Sequence, residues 1–370
     1  MSSRCFFFAG GGTGGHIYPA IAVAEEIVKL EPKVCIHFFV STRSIDTQIL
    51  SKTTFKYTQL PAKGFSPRLG KIVSFCTSFF KSCHIAKDMI AGSERPLVVG
   101  VGGFVAAPVC YAGHKLKVPI VLLNVDFVPG RANKIIARFA DEIFVQFEET
   151  AEYFARAKAA ISAVGCPLRS GFIKPEPDKV IKQLGLDENK RILLVTGASS
   201  GSESINKAVC SMLDKLSAFA DSWQIVHLAG WADFDQTKEK YAGVKIGHKV
   251  LRYFDDMPNL LAAADLVVGR SGAVSVAEYA AAAVPSICMP YPYHKDRHQY
   301  LNAGKLVEAG AAVIVDDSPD EKKRSEKLWQ ELERLMRDNY KREQMLEACK
   351  LVAEKGAAVK IAERLLGIGG

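Results

Sequence analysis

Three times in this chain a short apolar run stops at a turn of small residues and a helical pattern begins at once. FFFA runs into GGGTGGH over residues 6–16, ILLVT into GASSG over 192–201, and LVV into GRSGA over 266–273. An apolar run of this length reads as a strand buried on both faces, and such strands belong to parallel sheets joined by helical crossovers. The same alternation fills the space between. Strands are expected at 34–40, 55–60, 97–101, 120–124 and 143–146, with helices at 17–29, near 45–50 and at 71–90. The texture changes at GCPLRS (165–170) and KPEPD (174–178), a polar, proline-rich linker, and the pattern then restarts. Further strands are expected at 224–228, 286–289 and 312–315, before a charged helical tail from about Ser325. Strands alternating with helices imply doubly wound α/β architecture. A chain of 370 residues is longer than one core usually grows, so two Rossmann-like domains facing each other is the economical reading.

Composition narrows the function. The net charge of +8 favours anionic partners such as phosphates or acidic lipid head groups. No dense Lys/Arg run interleaved with aromatics is present, which argues against nucleic acid. The nine cysteines form no C-x-x-C pair, so free thiols in a reducing compartment are expected and a zinc site is not. No apolar stretch approaches the ~18 residues of a spanning helix, and the apolar run at 5–9 is too short for a signal peptide. A cytosolic protein with peripheral membrane contact is expected.

The first glycine turn contains G-x-G-x-x-G at Gly10, Gly12 and Gly15, at a strand end and a helix start. Such a turn lets backbone approach a ligand, and the helix N-terminus favours an anion; it also serves as an ordinary tight strand–helix turn. An NAD site would call for an acidic residue at the end of the second strand, where this chain has Arg43, compatible only with an NADP 2′-phosphate. His16, directly after the glycines, is placed either as a general base or as a helix-capping residue. The turn at 197–201 offers amides and hydroxyls to a phosphate. At 269–278, GRSGAVSVAE, a helix N-terminus suits a diphosphate, and Glu278, within two turns, suits a ribose diol. The loop PYPYHKDRHQ at 290–299 reads as ligand-binding. The D-x-D of Asp233 and Asp235 reads as surface rather than as a metal–diphosphate site. Ile72, Phe75, Phe79 and Phe80, edged by Lys63, Arg68, Lys71, Lys81 and Lys87, suit an interfacial helix on anionic lipid, or a core-facing helix with a solvated rim.

Seven motifs in order, GGTGGHIYP (11–19), GGFV (102–105), GCPLR (165–169), GASSG (197–201), FDDM (254–257), RSGAVSVAE (270–278) and HKDRHQYLN (294–302), resemble the MurG family of glycosyltransferase family 28. These enzymes add N-acetylglucosamine to the lipid-linked muramyl-pentapeptide. The resemblance implies a GT-B fold, two Rossmann-like domains with parallel sheets facing across a cleft. It implies domains at 1–166, with a helix at about 345–370 packing back, and at 167–344. The implied reaction is an inverting transfer from UDP-N-acetylglucosamine to lipid I at the cytoplasmic face of a membrane. No cofactor is required, though a divalent ion can assist, and other cell-wall enzymes are possible partners. Matched motif by motif, His16 is the implied catalytic base. Thr13, Gly14, Gly15, Asp126, Arg169, Ser199, Phe254, Ala273, Val274, Ser275, Val276, Ala277, Glu278, His298 and Gln299 are the implied donor contacts.

Two stretches depart from the family pattern. LNVD at 123–126 replaces the usual His-Glu-Gln-Asn, so Asp126 stands where an amide is expected and an acceptor-only carboxylate would repel a diphosphate. GASSG replaces Gly-Gly-Ser-Gln-Gly. These keep open a second lipid acceptor such as diacylglycerol. An inactive nucleotide-sugar-binding scaffold is a third reading, against which His16 and Glu278 both stand; an NADP oxidoreductase leaves the later motifs unexplained.

Overall fold

The computed structural model describes residues 4–12, 14–65, 69–198 and 201–368. The chain forms two compact units, one of residues 1–169 with 355–370, the other of 170–354.

The first unit is built as β1 (Cys5–Ala9), α1 (Gly14–Leu30), β2 (Cys35–Ser41), α2 (Ser44–Leu50), β3 (Lys56–Leu60), α3 (Leu69–Ala91), β4 (Pro96–Gly100), α4 (Gly103–Lys115), β5 (Ile120–Asn124), α5 (Arg131–Ile136), β6 (Glu142–Val145) and β7 (Ala160–Ala163). Its seven strands are all parallel, in the order β3-β2-β1-β4-β5-β6-β7. Every residue of β1 and β5 is buried. Phe7 stacks on Phe39 at 5.7 Å on one face of the sheet and Phe8 on Phe38 at 5.2 Å on the other, which is why these strands read as unbroken apolar runs.

The second unit comprises α6 (Pro177–Leu184), β8 (Arg191–Thr196), α7 (Glu203–Cys210), α8 (Leu213–Leu216), β9 (Trp223–Leu228), α9 (Phe234–Lys240), β10 (Gly247–Leu251), α10 (Met257–Ala263), β11 (Leu266–Gly269), α11 (Ala273–Ala281), β12 (Ser286–Cys288), α12 (His298–Glu308), β13 (Ala312–Ile314), α13 (Glu321–Arg337) and α14 (Asn339–Val352). The parallel order is β10-β9-β8-β11-β12-β13. One core of this unit gathers Trp223, Leu193 and Val268 from a single face of the sheet with Tyr241 and with Leu328 and Leu332 of α13. The final helix, α15 (Ala357–Gly367), belongs to the first unit and packs on α1. There Arg4 Nη1 donates to Leu366 O at 2.7 Å and Arg364 Nε to Glu142 at 2.9 Å.

In each sheet the winding direction reverses between two neighbours, β1 and β4 in the first unit, β8 and β11 in the second. Loops at the carboxyl ends of such a strand pair splay apart and leave a ligand-sized crevice. All three small-residue turns of the sequence sit at these points. Two strands escaped the sequence reading, β7 and β10. Both are edge strands with half-exposed side chains, so neither produces an apolar run. The expected linker at 174–178 is shorter than anticipated, because Pro177 opens α6, where its missing N–H costs nothing.

Candidate functional site

In the first unit the turn after β1 is held from below by Asp46, a fully buried residue of α2. Its carboxylate accepts from Gly12 N at 2.9 Å and from Ser41 N at 3.0 Å. Arg43 closes the other side by donating to Gly12 O at 2.9 Å while its guanidinium lies over the Phe104 ring. The arginine considered for a 2′-phosphate is therefore engaged with the glycine turn.

His16 stands in the first turn of α1, with Nδ1 3.3 Å from Gly11 O. Its ring lies against the β4–α4 turn. A Cβ on Gly102, whose φ is +127°, would fall 2.9 Å from His16 Cδ2 and 3.0 Å from Nε2. The GGFV motif thus supplies a seat for the imidazole that no side chain could share. Beside it lies Asn133 of α5. Its Nδ2 donates to Asn124 Oδ1 at 2.8 Å, and Asn124 in turn donates to Asp126 O at 2.7 Å. Asn133 Oδ1 is buried without a hydrogen-bond partner among the described residues. An orphaned buried acceptor is costly, and next to an imidazole it marks a place for a ligand donor. Asp46, Asn124 and Asn133 carry no local motif, and the sequence reading missed all three.

Gly14 and Gly15 open α1, and Thr13 lies outside the described residues. Asp126, just past β5, is half-buried, and Leu123, in the place of the family's histidine, is fully buried in the sheet. Arg169 lays its guanidinium over the Tyr18 ring at 4.4 Å, which orients it against α1.

In the second unit the turn after β8 is drawn tightly against the β9 end. Gly201 has φ +76°, and a Cβ there would fall 2.7 Å from both Ala229 O and Gly230 Cα. Ala198, at a position where the family has glycine, also sits in the left-handed region with φ +60°, a conformation that costs an alanine ~1 kcal/mol or more. Ser199 lies outside the described residues.

Arg270, in the turn after β11, ties four segments together. It donates to Met289 O at 2.8 Å, to Ser202 Oγ at 2.8 Å and to Ser204 Oγ at 2.9 Å, and pairs with the buried Asp317 at 2.8 Å. The helix it precedes, α11, begins after Gly272, which has no side chain to cap the first turn. The dipole of a helix starting here favours negative charge at the switch point of the sheet. Ala273, Val274 and Val276 are buried, and Ser275, Ala277 and Glu278 are half-buried. Phe254, after β10, is buried.

The 290–299 loop is anchored to the same turn. Ser271 Oγ donates to Gln299 O at 2.9 Å, and Gln299 Oε1 accepts from Tyr291 N at 2.8 Å, which leaves the Gln299 amide nitrogen as a donor. His298 stacks on His294 at 4.2 Å, and its Nδ1 meets Asp296 at 2.7 Å. Burial pushes the Asp296 carboxyl up, but the hydrogen bonds and charge of His298 outweigh it and hold the group below its usual range.

The two aspartates of D-x-D part company. Asp233 is half-buried and accepts from Asn206 Nδ2 at 3.2 Å, so it is not the surface residue expected, whereas Asp235 pairs with Arg252 at 3.2 Å in the open. Among the described residues, no cluster of three metal-ligating side chains occurs.

On α3, Phe80 and Val73 are each 65% exposed and nearby Phe65 55%. Ile72, Phe75 and Phe79 are half-buried, the two phenylalanines in ring contact with each other and with Phe65 and Tyr111. No helix among the described residues is long and apolar enough to cross a membrane.

Comparison with known proteins places these features. The family model described as glycosyltransferase family 28 N-terminal domain matches residues 6–145, and that of the family 28 C-terminal domain matches 192–364. The UDP-N-acetylglucosamine–N-acetylmuramyl-(pentapeptide) pyrophosphoryl-undecaprenol N-acetylglucosamine transferase of Thermodesulfovibrio yellowstonii is 34% identical over 313 residues, 84% of each chain. The enzyme of the same name from Caldicellulosiruptor saccharolyticus is 34% identical over 358 residues, 96% of this chain and 95% of its own. The crystal structure of Acinetobacter baumannii MurG superposes with a TM-score of 0.72 at 21% identity, covering 99% of this chain and all of that one, so the fold is GT-B. The chain belongs to glycosyltransferase family 28, in the MurG family of N-acetylglucosaminyltransferases.

Proposed function

We propose that the protein transfers N-acetylglucosamine from UDP-N-acetylglucosamine to lipid I, the undecaprenyl-pyrophosphoryl-linked muramyl-pentapeptide, with inversion at the anomeric carbon. The observation that carries the reading is family membership along nearly the whole chain, in which His16 keeps its motif position and a seat made by two glycines. In this reading the second unit binds the nucleotide sugar. The N-terminus of α11 takes the diphosphate, Glu278 the ribose hydroxyls, Phe254 flanks the uracil, and Gln299, with His298 beside it, contacts the sugar. Thr13, Gly14, Gly15, Asp126, Arg169 and Ser199 complete the donor contacts.

The chemistry follows from these roles. His16 accepts the proton of the attacking acceptor hydroxyl. That oxygen bonds to the anomeric carbon as the bond to UDP breaks, and the electron pair leaves with the β-phosphate. The leaving charge is met by the α11 N-terminus, whose amides are already oriented at the moment of reaction. The reading calls for no resident cofactor or metal, and activity in chelator tests it.

We place the protein peripherally at the cytoplasmic face of the membrane. There Phe65, Val73 and Phe80, with Lys63, Lys71, Lys81 and Lys87 around them, meet anionic lipid. A second reading keeps the donor and exchanges the acceptor for another lipid such as diacylglycerol. It is favoured by Leu123, which puts a buried apolar side chain where the family has histidine.

The test is transfer of radiolabelled sugar from UDP-N-acetylglucosamine to a short-chain lipid I analogue, with diacylglycerol in parallel. Labelled disaccharide lipid, lost in His16→Ala, is the expected result. Donor binding with transfer only to diacylglycerol would overturn the acceptor assignment.

A further inference from the structure

A chain of buried polar groups runs through the second unit behind the donor turn and has no part in the roles above. His227, on β9, is fully buried. Its Nδ1 lies 2.9 Å from Tyr241 Oη and its Nε2 3.0 Å from Asn206 Oδ1. Asn206, in the first turn of α7 and 3% exposed, donates from Nδ2 to Ala229 O at 2.8 Å and to Asp233 Oδ2 at 3.2 Å.

Only one arrangement of hydrogens satisfies all of these contacts. Ala229 O and the Asp233 carboxylate are acceptors, so the Asn206 amide must present its nitrogen to them and its oxygen to His227. Nε2 therefore carries the imidazole hydrogen, Nδ1 accepts, and the Tyr241 hydroxyl donates. Burial reinforces the pattern by pushing the His227 imidazolium down to about 3 and the Tyr241 phenol well above its ordinary range, so that both rings are neutral. The far end of the chain is Ala229 O, the carbonyl against which Gly201 packs with no room for a Cβ.

We propose that Tyr241, His227 and Asn206 are positioning residues for nucleotide binding: together they hold the 229–230 backbone against the Gly201 turn and so fix the loop that receives the donor. The inference rests on the donor-site reading given above. Because the contact at Gly201 is backbone to backbone, a shift of a few tenths of an ångström in Ala229 is passed directly to Gly201. Asp233, half of a motif resembling a metal–diphosphate site, acts here as the acceptor that anchors Asn206.

The experiment compares full-length wild type with His227→Phe, which keeps the ring and removes the Nε2 donor, and His227→Gln, whose amide nitrogen can replace that donor. UDP affinity is measured by calorimetry, donor and acceptor KM by steady-state transfer, and folding by circular dichroism and melting. His227→Phe is expected to weaken UDP binding and raise donor KM about tenfold, because it strands both the Asn206 Oδ1 acceptor and the Tyr241 hydroxyl, with acceptor KM unchanged and His227→Gln back within about threefold. Asn206→Asp, which turns a carboxylate toward two acceptors, is expected to act in the same direction. If His227→Phe does not fold, Asn206→Asp carries the test, and Tyr241→Phe, which keeps the Nε2–Asn206 bond and strands only His227 Nδ1, is expected to shift UDP affinity in the same direction by less. Folded variants with UDP affinity within twofold of wild type, or donor and acceptor KM rising together, would overturn the positioning role alone. A wild type that binds no UDP would instead remove the donor-site reading, and this inference with it.

Discussion

Replacing Arg270 by methionine isolates the energetic role of the ion pair at the heart of the donor turn. The side chains of Arg270 and Asp317 are 11% and 4% exposed. Methionine fills much of the volume but removes the nearer of two counter-charges. Asp317 is then left with the Ser204 hydroxyl at 2.7 Å and Arg324 at 3.6 Å. Breaking a buried pair by deleting one partner costs ~3–5 kcal/mol, because the other charge stays buried. For a unit of this size each kcal/mol shifts the midpoint by ~2–4 °C, so a fall of about 6–20 °C is expected. All three tryptophans, Trp223, Trp231 and Trp329, lie in the second unit, so tryptophan fluorescence during a thermal ramp reports its unfolding separately from the first unit. Because Arg324 also relies on Asp317, the variant that strands no charge is Arg270→Met/Asp317→Asn/Arg324→Met, which should recover more than half of the loss. A single variant within about 2 °C of wild type, or a triple variant as unstable as the single, would refute the reasoning that the under-compensated carboxylate is what costs stability.

Three further outcomes are expected. Gly102→Ala drives a Cβ onto the His16 ring, so kcat should fall at least about tenfold while UDP affinity holds; unchanged turnover would mean that the imidazole does not depend on this seat. His227 is a base whose folded pKa, about 3, lies below its ordinary 6.5. Its neutral state therefore contributes stability that is complete above pH 6.5 and is lost as pH falls toward 3, at most about 1.4 kcal/mol per pH unit. Urea titrations between pH 7.5 and 4.5 should show that slope reduced by one proton in His227→Gln, and parallel slopes would count against a neutral His227. Finally, Val73→Asp/Phe80→Asp should weaken co-sedimentation with phosphatidylglycerol vesicles at least about tenfold and leave the melting temperature within about 2 °C, since both side chains are already in solvent. Equal binding would move the membrane contact elsewhere.

The two-unit α/β architecture and the position of its small-residue turns are written in local residue pattern. β1, β5, β8 and β11 are buried on both faces, so their apolar runs announce themselves, and the small-residue turns that follow β1, β8 and β11 mark both switch points. The placement of His16 and of α11 at these turns was legible for the same reason, since each lies within a few residues of its turn, while the role of His16 stayed open between a base and a helix cap. Only the tertiary structure decided what depends on groups distant in the chain. The edge strands β7 and β10 are half in solvent and carry no period to read. Asp46 under the first turn, Asn133 beside His16, Asp317 against Arg270, and His227 between Tyr241 and Asn206 are single polar residues with no local pattern. A buried polar group is tolerable only when its partner is brought to it, and that pairing is set by strand order and crossover, not by neighbours in the sequence. The D-x-D shows the same physics, for two aspartates a residue apart were sent to Asn206 in the interior and to Arg252 at the surface by the direction in which the chain turns into α9.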